Sequence, residues 1–252
     1  KAEFLANHIE VDPSRGAGHA MGAMMRDDKA HLRTRIPEGG MKYKGFNIAI
    51  HELGHNVEQV FSLNGVDYYT LNGVPNTAFT EAFAFVFQSR DLQVLGMNQE
   101  NPEAADFQAL NDLWATFEIS GVALTDMYIW RWMYENPNAN AEQLRQAMLN
   151  ISKEVWNTCF APVLGIQDQS ILCIYSHIVD GGMYTPDYPL GHIISFQIEE
   201  YLKSHGLATE MERMCKLGRL SPQIWMQQAV GEKISVEPLI SAAEKAAEQM
   251  KK

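Results

Sequence analysis

The sequence has few cysteines, no long apolar run and no excess of basic charge. Its three cysteines, Cys159, Cys173 and Cys215, are too scattered for a disulfide framework, and none forms the Cys-x-x-Cys pair that would indicate cysteine-bound zinc. No apolar run reaches the length that a bilayer crossing needs. With 31 acidic against 20 basic residues, the net charge of -11 disfavours a groove for nucleic acid. We therefore predict neither a nucleic-acid nor a membrane partner.

The beginning of the sequence also lacks a targeting signal. Residues Lys1 to Phe4 show neither a signal-peptide pattern nor an initiator methionine, so we expect a piece of a longer precursor. A chain of 252 residues can bury a large core, and we find no internal repeat and no convincing interdomain linker. We predict a single domain over residues 1–252. The compartment does not follow from these features, with the cytoplasm slightly favoured.

Hydrophobic periodicity predicts a mainly helical chain with a small antiparallel sheet near its start. Residues 1–45 lack a helical period, and polar–apolar alternation over residues 30–36 predicts a short exposed strand or half of a hairpin. From Phe46 onward, apolar residues recur at steps of three and four, which is typical of an amphipathic helix. A loop with turn residues follows, and a second helix is predicted from near residues 77–80 to about Leu95.

Most of the remaining chain is predicted to be helical as well, beginning after Asn101-Pro102. Proline or glycine interrupts this region at three places, which are Asn136-Pro137, Ala161-Pro162 and Asp180 to Gly182. Two later helices are predicted over residues 191–204 and 237–252.

The most informative motif is His51-Glu52-Leu53-Gly54-His55, which falls on the first amphipathic helix. Residues four apart lie on one face of a helix, so His51 and His55 can ligate one zinc ion together. The intervening Glu52 does not ligate; it faces the water on the metal. Zinc lowers the pKa of that water, and the carboxylate can accept its proton as a carbonyl is attacked. The motif predicts metal-assisted hydrolysis.

A catalytic zinc site needs a third protein ligand and an open fourth position. Glu81, on the next predicted helix, is the candidate, with His51 and His55 as the other metal ligands. A carboxylate at a helix start is usually solvated and favoured by the helix dipole. Its neighbours from Phe79 to Phe85 are strongly apolar, however, and a carboxylate in that setting is more easily explained by a metal partner.

These motifs resemble the thimet oligopeptidase and oligoendopeptidase F group of gluzincin metallopeptidases. The spacing from His-Glu-x-x-His to Glu81, the run from Gly73 to Glu81, and Gln59 are similar to that family. The resemblance implies a zincin-like fold, one zinc ion per chain, and hydrolysis of peptide bonds in short peptides. It covers nearly the whole chain but only the catalytic half of the family's usual architecture, so a helical N-terminal half is expected to be missing.

The resemblance continues downstream of the metal motif. His177, the glycines Gly181-Gly182, Tyr184 and Tyr188 are similar to a histidine, loop and tyrosines that face the substrate in that family. The resemblance implies that Tyr188 and His177 bind the oxyanion, with Tyr184 a weaker candidate. A hydrogen-bond donor in a water-poor cleft stabilises such charge by about 3 kcal/mol. The alternative interpretation of Tyr188 and His177 is a surface or packing role without a part in catalysis.

The strand predicted over residues 31–36 would then lie above the metal helix as an edge strand and pair with the backbone of a bound peptide. An ordinary strand of a small sheet is an equally good interpretation. The remaining histidines follow no motif and are interpreted as structural; they are His8, His19, His31, His192 and His205.

Two positions depart from the pattern of the relatives. Gln88 stands where the third-ligand helix often carries a glutamate, so a group that supports the ligands differs. Tyr175 stands where angiotensin-converting enzyme has a lysine for the terminal carboxylate of its substrate, which disfavours a dipeptide-releasing carboxypeptidase. Two alternatives remain, a catalytically silent peptide-binding module and an aminopeptidase. The key site positions favour neither, and the Gly-x-Met-x-Asn segment typical of aminopeptidases is not found.

Overall fold

The computed structural model describes residues 1–16, 18–97 and 103–251. Three short strands and one helix precede a series of helices. The strands are β1 (Ile9–Pro13), β2 (His19–Met21) and β3 (Ala30–Thr34). The helices are α1 (Ala2–His8), α2 (Tyr43–Gly65), α3 (Thr77–Gln88), α4 (Asp91–Val94), α5 (Ala104–Glu135), α6 (Ala141–Cys159), α7 (Ala161–Leu164), α8 (Asp187–Leu202), α9 (Leu207–Cys215), α10 (Pro222–Val230) and α11 (Glu237–Gln249).

The mainly helical fold with a small sheet near the N-terminus is confirmed. The sheet has the order β1-β3-β2 and is mixed rather than antiparallel throughout. Strand β2 pairs with β3 antiparallel as predicted, but β1 pairs with β3 in parallel. The predicted strand therefore lies in the centre of the sheet and ends at Thr34. Its backbone pairs on both sides, so the prediction of an edge strand at residues 31–36 is wrong.

Other differences lie at the ends of helices. Helix α1 falls in the region without a helical period, and Phe4 of this helix stacks on Phe61 of α2, so a tertiary contact supports it. The second helix ends at Gln88, before the separate turn of α4. The predicted start at Asn101-Pro102 lies outside the described residues. Helix α8 begins at Asp187 rather than near residue 191.

Helix α3 lies between α2 and α8 and belongs to the main core. Two glycines allow these close contacts. A Cβ on Gly54 would lie 2.8 Å from the Cα of Ala84, and a Cβ on Gly191 would lie 2.9 Å from the Cβ of Glu81. Because only glycine allows such approaches, α3 is held closely from both sides. A second core forms around α5 and α6.

Among the described residues, no helix is both long enough and apolar enough to cross a bilayer.

Candidate metal centre

Helix α2 carries the two histidines on one face. The neighbouring positions Ile50 and Val57 are buried, which fixes the rotation of the helix so that His51 and His55 face α3. Their rings lie with centroids 4.9 Å apart and planes at 88°. This arrangement follows from the four-residue spacing on a helix.

Helix α3 brings Glu81 to the two imidazoles. The Nε2 atom of His51 lies 3.4 Å from Oε2 of Glu81, and Nε2 of His55 lies 3.7 Å from Oε1. One ligand atom from each of the three residues lies within 4.8 Å of the others. The structure therefore brings His51, His55 and Glu81 together as two nitrogens and one carboxylate, which is a donor set suited to zinc.

The environment of Glu81 fits a bound cation. The carboxyl is 2% exposed, and its Oε2 atom is buried without a hydrogen-bond partner although Nε2 of His51 is within ion-pair distance. Buried carboxylate oxygens are normally satisfied. A metal ion held between the carboxylate and the two imidazoles would satisfy this atom, so these residues fit zinc.

The charges of the cluster shift one another's pKa values. Burial would raise the pKa of Glu81, but the two histidines and the Tyr184 hydroxyl together hold that pKa below its ordinary value. Burial lowers the pKa of His55 to about 4, so this imidazole is neutral near pH 7. For His51 burial acts in the same direction, but the nearby Glu81 carboxylate outweighs it and the pKa is raised. An anionic carboxylate and a neutral imidazole are the forms that ligate metal.

Glu52 lies beside the cluster and against strand β2. Burial raises the pKa of its carboxyl, while His51 and a hydrogen bond from the backbone of Ala20 oppose the rise. A raised pKa is the direction that a general base working near neutral pH requires. A Cβ on Gly18 would lie 3.3 Å from Cγ of Glu52. The strand that lies against Glu52 is therefore β2, at the edge of the sheet.

Four aromatic side chains form one cluster next to Glu81. His177 and Tyr188 stack with ring centroids 6.3 Å apart, and Tyr175 and Tyr184 contact both of them edge-on. The Tyr184 hydroxyl donates to Oε1 of Glu81 at 2.6 Å. Burial is the main cause that raises the pKa of Tyr188 and of Tyr184, so both phenols keep their protons at neutral pH. The structure thus places His177 and Tyr188 together, with Tyr184 as their link to Glu81.

The loop that carries His177 is held in an unusual conformation. Val179 and Met183 have φ angles of 67° and 64°, which are costly for residues other than glycine. Asp126 of α5 is fully buried, accepts a hydrogen bond from the backbone N–H of Val179 at 3.0 Å, and accepts another from the Thr185 hydroxyl at 2.9 Å. This carboxylate therefore ties both ends of the loop to the helical core.

Three contacts of the site were missed from the sequence. The Ala20 backbone, the Tyr184 hydroxyl bond and the ring of His192 have no local signal in the sequence. His192 stacks on Phe85 with centroids 4.0 Å apart, and Phe85 lies 5.3 Å from the ring of His51. Burial lowers the pKa of His192 to about 4. Each contact joins residues far apart in the chain, so residue spacing does not predict them.

No protein-family model matches the chain, and no curated protein matches it. Solved structures do. PZ peptidase A with an inhibitor is 15% identical, with a TM-score of 0.66 over 99% of this chain and 44% of that one. A protein assigned as oligoendopeptidase F is 14% identical, with a TM-score of 0.62 over 97% and 43%. Metallocarboxypeptidase 1 of Trypanosoma cruzi is 15% identical, with a TM-score of 0.59 over 97% and 56%.

The likeness shows the fold. The chain has the zincin-like fold that these metallopeptidases share, and it spans about half the length of their chains. Oligoendopeptidase and carboxypeptidase structures both match, so the fold is common to more than the narrower group that the motifs resemble.

Proposed function

We propose that residues 1–252 form one catalytic domain of a zinc-dependent peptidase of the gluzincin type, similar to thimet oligopeptidase and oligoendopeptidase F. Its substrates would be short peptides. The observation that carries this proposal is the convergence of His51, His55 and the buried Glu81, with an unpartnered carboxylate oxygen at their centre and Glu52 beside them. The fold shared with metallopeptidases supports it.

In the proposed mechanism His51, His55 and Glu81 hold the zinc ion. Zinc, when bound, supplies a Lewis acid that makes a water molecule easier to deprotonate and polarises the substrate carbonyl. Glu52 accepts the proton of the attacking water, and the water oxygen forms a bond to the carbonyl carbon. Glu52 then passes the proton to the amine nitrogen as the peptide C–N bond breaks.

Tyr188 and His177 would act on the carbonyl oxygen, which gains negative charge during the attack. A phenol keeps its proton at neutral pH, and burial raises the pKa of Tyr188 further, so Tyr188 is a hydrogen-bond donor there. Donors that are already oriented stabilise such charge by about 3 kcal/mol each. The stacked rings and the tethered loop support an oriented pair.

The edge strand β2 would bind the peptide backbone. Its one ladder partner in the described sheet is β3, and Ala20 lies against Glu52. A peptide added to such an edge would be held by backbone hydrogen bonds, which do not depend on the peptide's side chains.

The test combines zinc content with cleavage of a quenched-fluorescent peptide library, for the native chain and for Glu52→Gln. We expect about one zinc per chain in both proteins and a loss of cleavage of at least about 100-fold in the variant. Product masses distinguish internal cleavage from release of C-terminal residues.

Two results would contradict the proposal. A chain without zinc would remove its basis. Bound zinc without cleavage by the native chain would favour the silent peptide-binding module.

A further inference from the structure

A line of hydrogen-bonded side chains extends from His51 away from the proposed metal. Nδ1 of His51 lies 3.0 Å from Oε1 of Gln88, Nε2 of Gln88 donates to Oδ1 of Asn47 at 2.6 Å, and Nδ2 of Asn47 donates to Oδ2 of Asp91 at 2.6 Å. The four residues come from α2, α3 and the first residue of α4. We call this line the Asp91 relay.

The far end of the relay is firmly held. Asp91 is 5% exposed and accepts two further hydrogen bonds, from the Tyr43 hydroxyl at 2.7 Å and from the backbone N–H of Leu92 at 2.5 Å. Its oxygens therefore face three donors, from Tyr43, Asn47 and the backbone of Leu92, and accept in all three bonds. An ionised carboxylate only accepts hydrogen bonds.

This end fixes the direction of every bond in the relay. Because Asp91 only accepts, Asn47 must present its NH2 group to it, and the oxygen of Asn47 then faces Gln88. Gln88 must therefore present its own NH2 group to Asn47, and its oxygen faces Nδ1 of His51. That oxygen accepts only, so Nδ1 of His51 must carry the proton. The lone pair of the neutral ring is then on Nε2, the atom nearest to Glu81.

His51 and His55 differ in which group sets the position of the ring proton. The ring of His55 hydrogen-bonds the backbone of Thr80 directly, and a backbone carbonyl can only accept. Gln88, the partner of His51, is an amide that could present either its oxygen or its nitrogen. Gln88 alone therefore leaves the tautomer of His51 undetermined, and a more distant group has to decide it.

We propose that Asp91 is a positioning residue that sets the Nδ1–H tautomer of His51 through Asn47 and Gln88, so that Nε2 is free to ligate the metal. Groups that orient a ligating histidine in this way typically change metal affinity 10- to 100-fold. The proposal rests on the proposed metal site for its effect on zinc affinity. The effect of Asp91 on the tautomer of His51 does not require a bound metal and can be measured in the metal-free protein.

The test is 15N NMR of the histidine side chains in the metal-free full chain, at a pH high enough for His51 to be neutral. Native protein should show His51 protonated at Nδ1. Asp91→Asn can donate as well as accept, so both amides can reverse and the Nδ1–H population should fall. Tyr43→Phe is the matched control, because it removes one donor to Asp91 without changing the direction of any relay bond, and its tautomer should stay native.

A second variant, Asn47→Leu, separates the loss of the relay from a local loss of structure at α4, which Asp91→Asn could also cause. It interrupts the relay but leaves Asp91 with Tyr43 and Leu92, and it should shift the tautomer in the same way. Zinc affinity, measured by competition with a chelator, should fall about 10-fold in both variants and stay native in Tyr43→Phe.

Two outcomes would overturn the proposal. One is an Nδ1–H His51 that persists in both Asp91→Asn and Asn47→Leu, which would mean that Gln88 acts alone. The other is a Tyr43→Phe protein that changes as much as Asp91→Asn, which would indicate general loosening. A chain that binds no zinc would refute the proposed function, while the NMR result would still decide the role of Asp91.

Discussion

The close contact of α8 with α3 provides a quantitative test of how Glu81 is positioned. In Gly191→Ala the new Cβ would lie 2.9 Å from Cβ of Glu81 and 3.1 Å from the carbonyl oxygen of Ala78. Ordinary contact begins at 3.4 Å, so α8 must move away from α3 by about half an ångström. Neither neighbour can rotate away, because one is a Cβ and the other a backbone atom.

Two opposing effects determine the expected change in the free energy of unfolding. Overpacking of a tight contact costs about 1–3 kcal/mol, while replacing a helical glycine with alanine gains about 1 kcal/mol. The free energy of unfolding should fall by about 1 kcal/mol, which lowers the Tm by about 3 °C for a chain of this size. Because the contact reaches Glu81 itself, zinc affinity should also fall, by about 10-fold.

Gly45→Ala is the matched control. A Cβ there would lie 3.1 Å from Cγ of Met41, a flexible side chain that can move, so this variant should gain up to about 1 kcal/mol. The assays are urea unfolding of the metal-free proteins and zinc competition with a chelator. If Gly191→Ala is as stable as Gly45→Ala and binds zinc like the native chain, the packing of α8 does not position Glu81 and the reasoning is refuted.

Two further predictions concern single side chains. Tyr184→Phe removes the hydrogen bond to Glu81 and should weaken zinc binding about 10-fold. Tyr188→Phe should keep the native zinc affinity and lower turnover about 100-fold. Equal zinc affinities in both variants would argue against separate roles for the two tyrosines. Burial raises the pKa of Glu58 to about 7, from 4.5. The folded chain therefore holds this proton more tightly than the unfolded chain does. Its free energy of unfolding falls as pH rises from about 4.5 to about 7, by about 3 kcal/mol at most. Glu58→Gln should lack this loss, so urea unfolding at pH 5 and pH 8 should show its advantage over the native chain growing with pH; parallel pH profiles would contradict it.

The sequence predicted best what depends on neighbours along the chain. The spacing of His51, Glu52 and His55 determines a shared helix face wherever a helix forms. Glu81 could be selected because a lone carboxylate among phenylalanines is unusual. The breaks at proline and glycine were predicted where backbone dihedral angles forbid a regular helix.

The sequence failed where a segment depends on a distant partner. Helix α1 contacts α2 through Phe4 and Phe61, residues that are far apart in the chain. Strand β2 has three residues, too few for a period to be recognised. The edge position predicted for residues 31–36 was also wrong, because β1 pairs in parallel with this strand and makes it central.

By itself, then, the sequence determined the helical character of the chain and the spacing of the histidines on their helix, because dihedral preferences and helical periodicity act between near neighbours. Only the tertiary structure decided which carboxylate faces those histidines, which strand lies against Glu52, and which atoms of Gln88, Asn47 and Asp91 meet. The physical reason is that hydrogen-bond direction and side-chain burial depend on where α3, α4 and α8 pack against α2, and no periodicity within one segment specifies that packing.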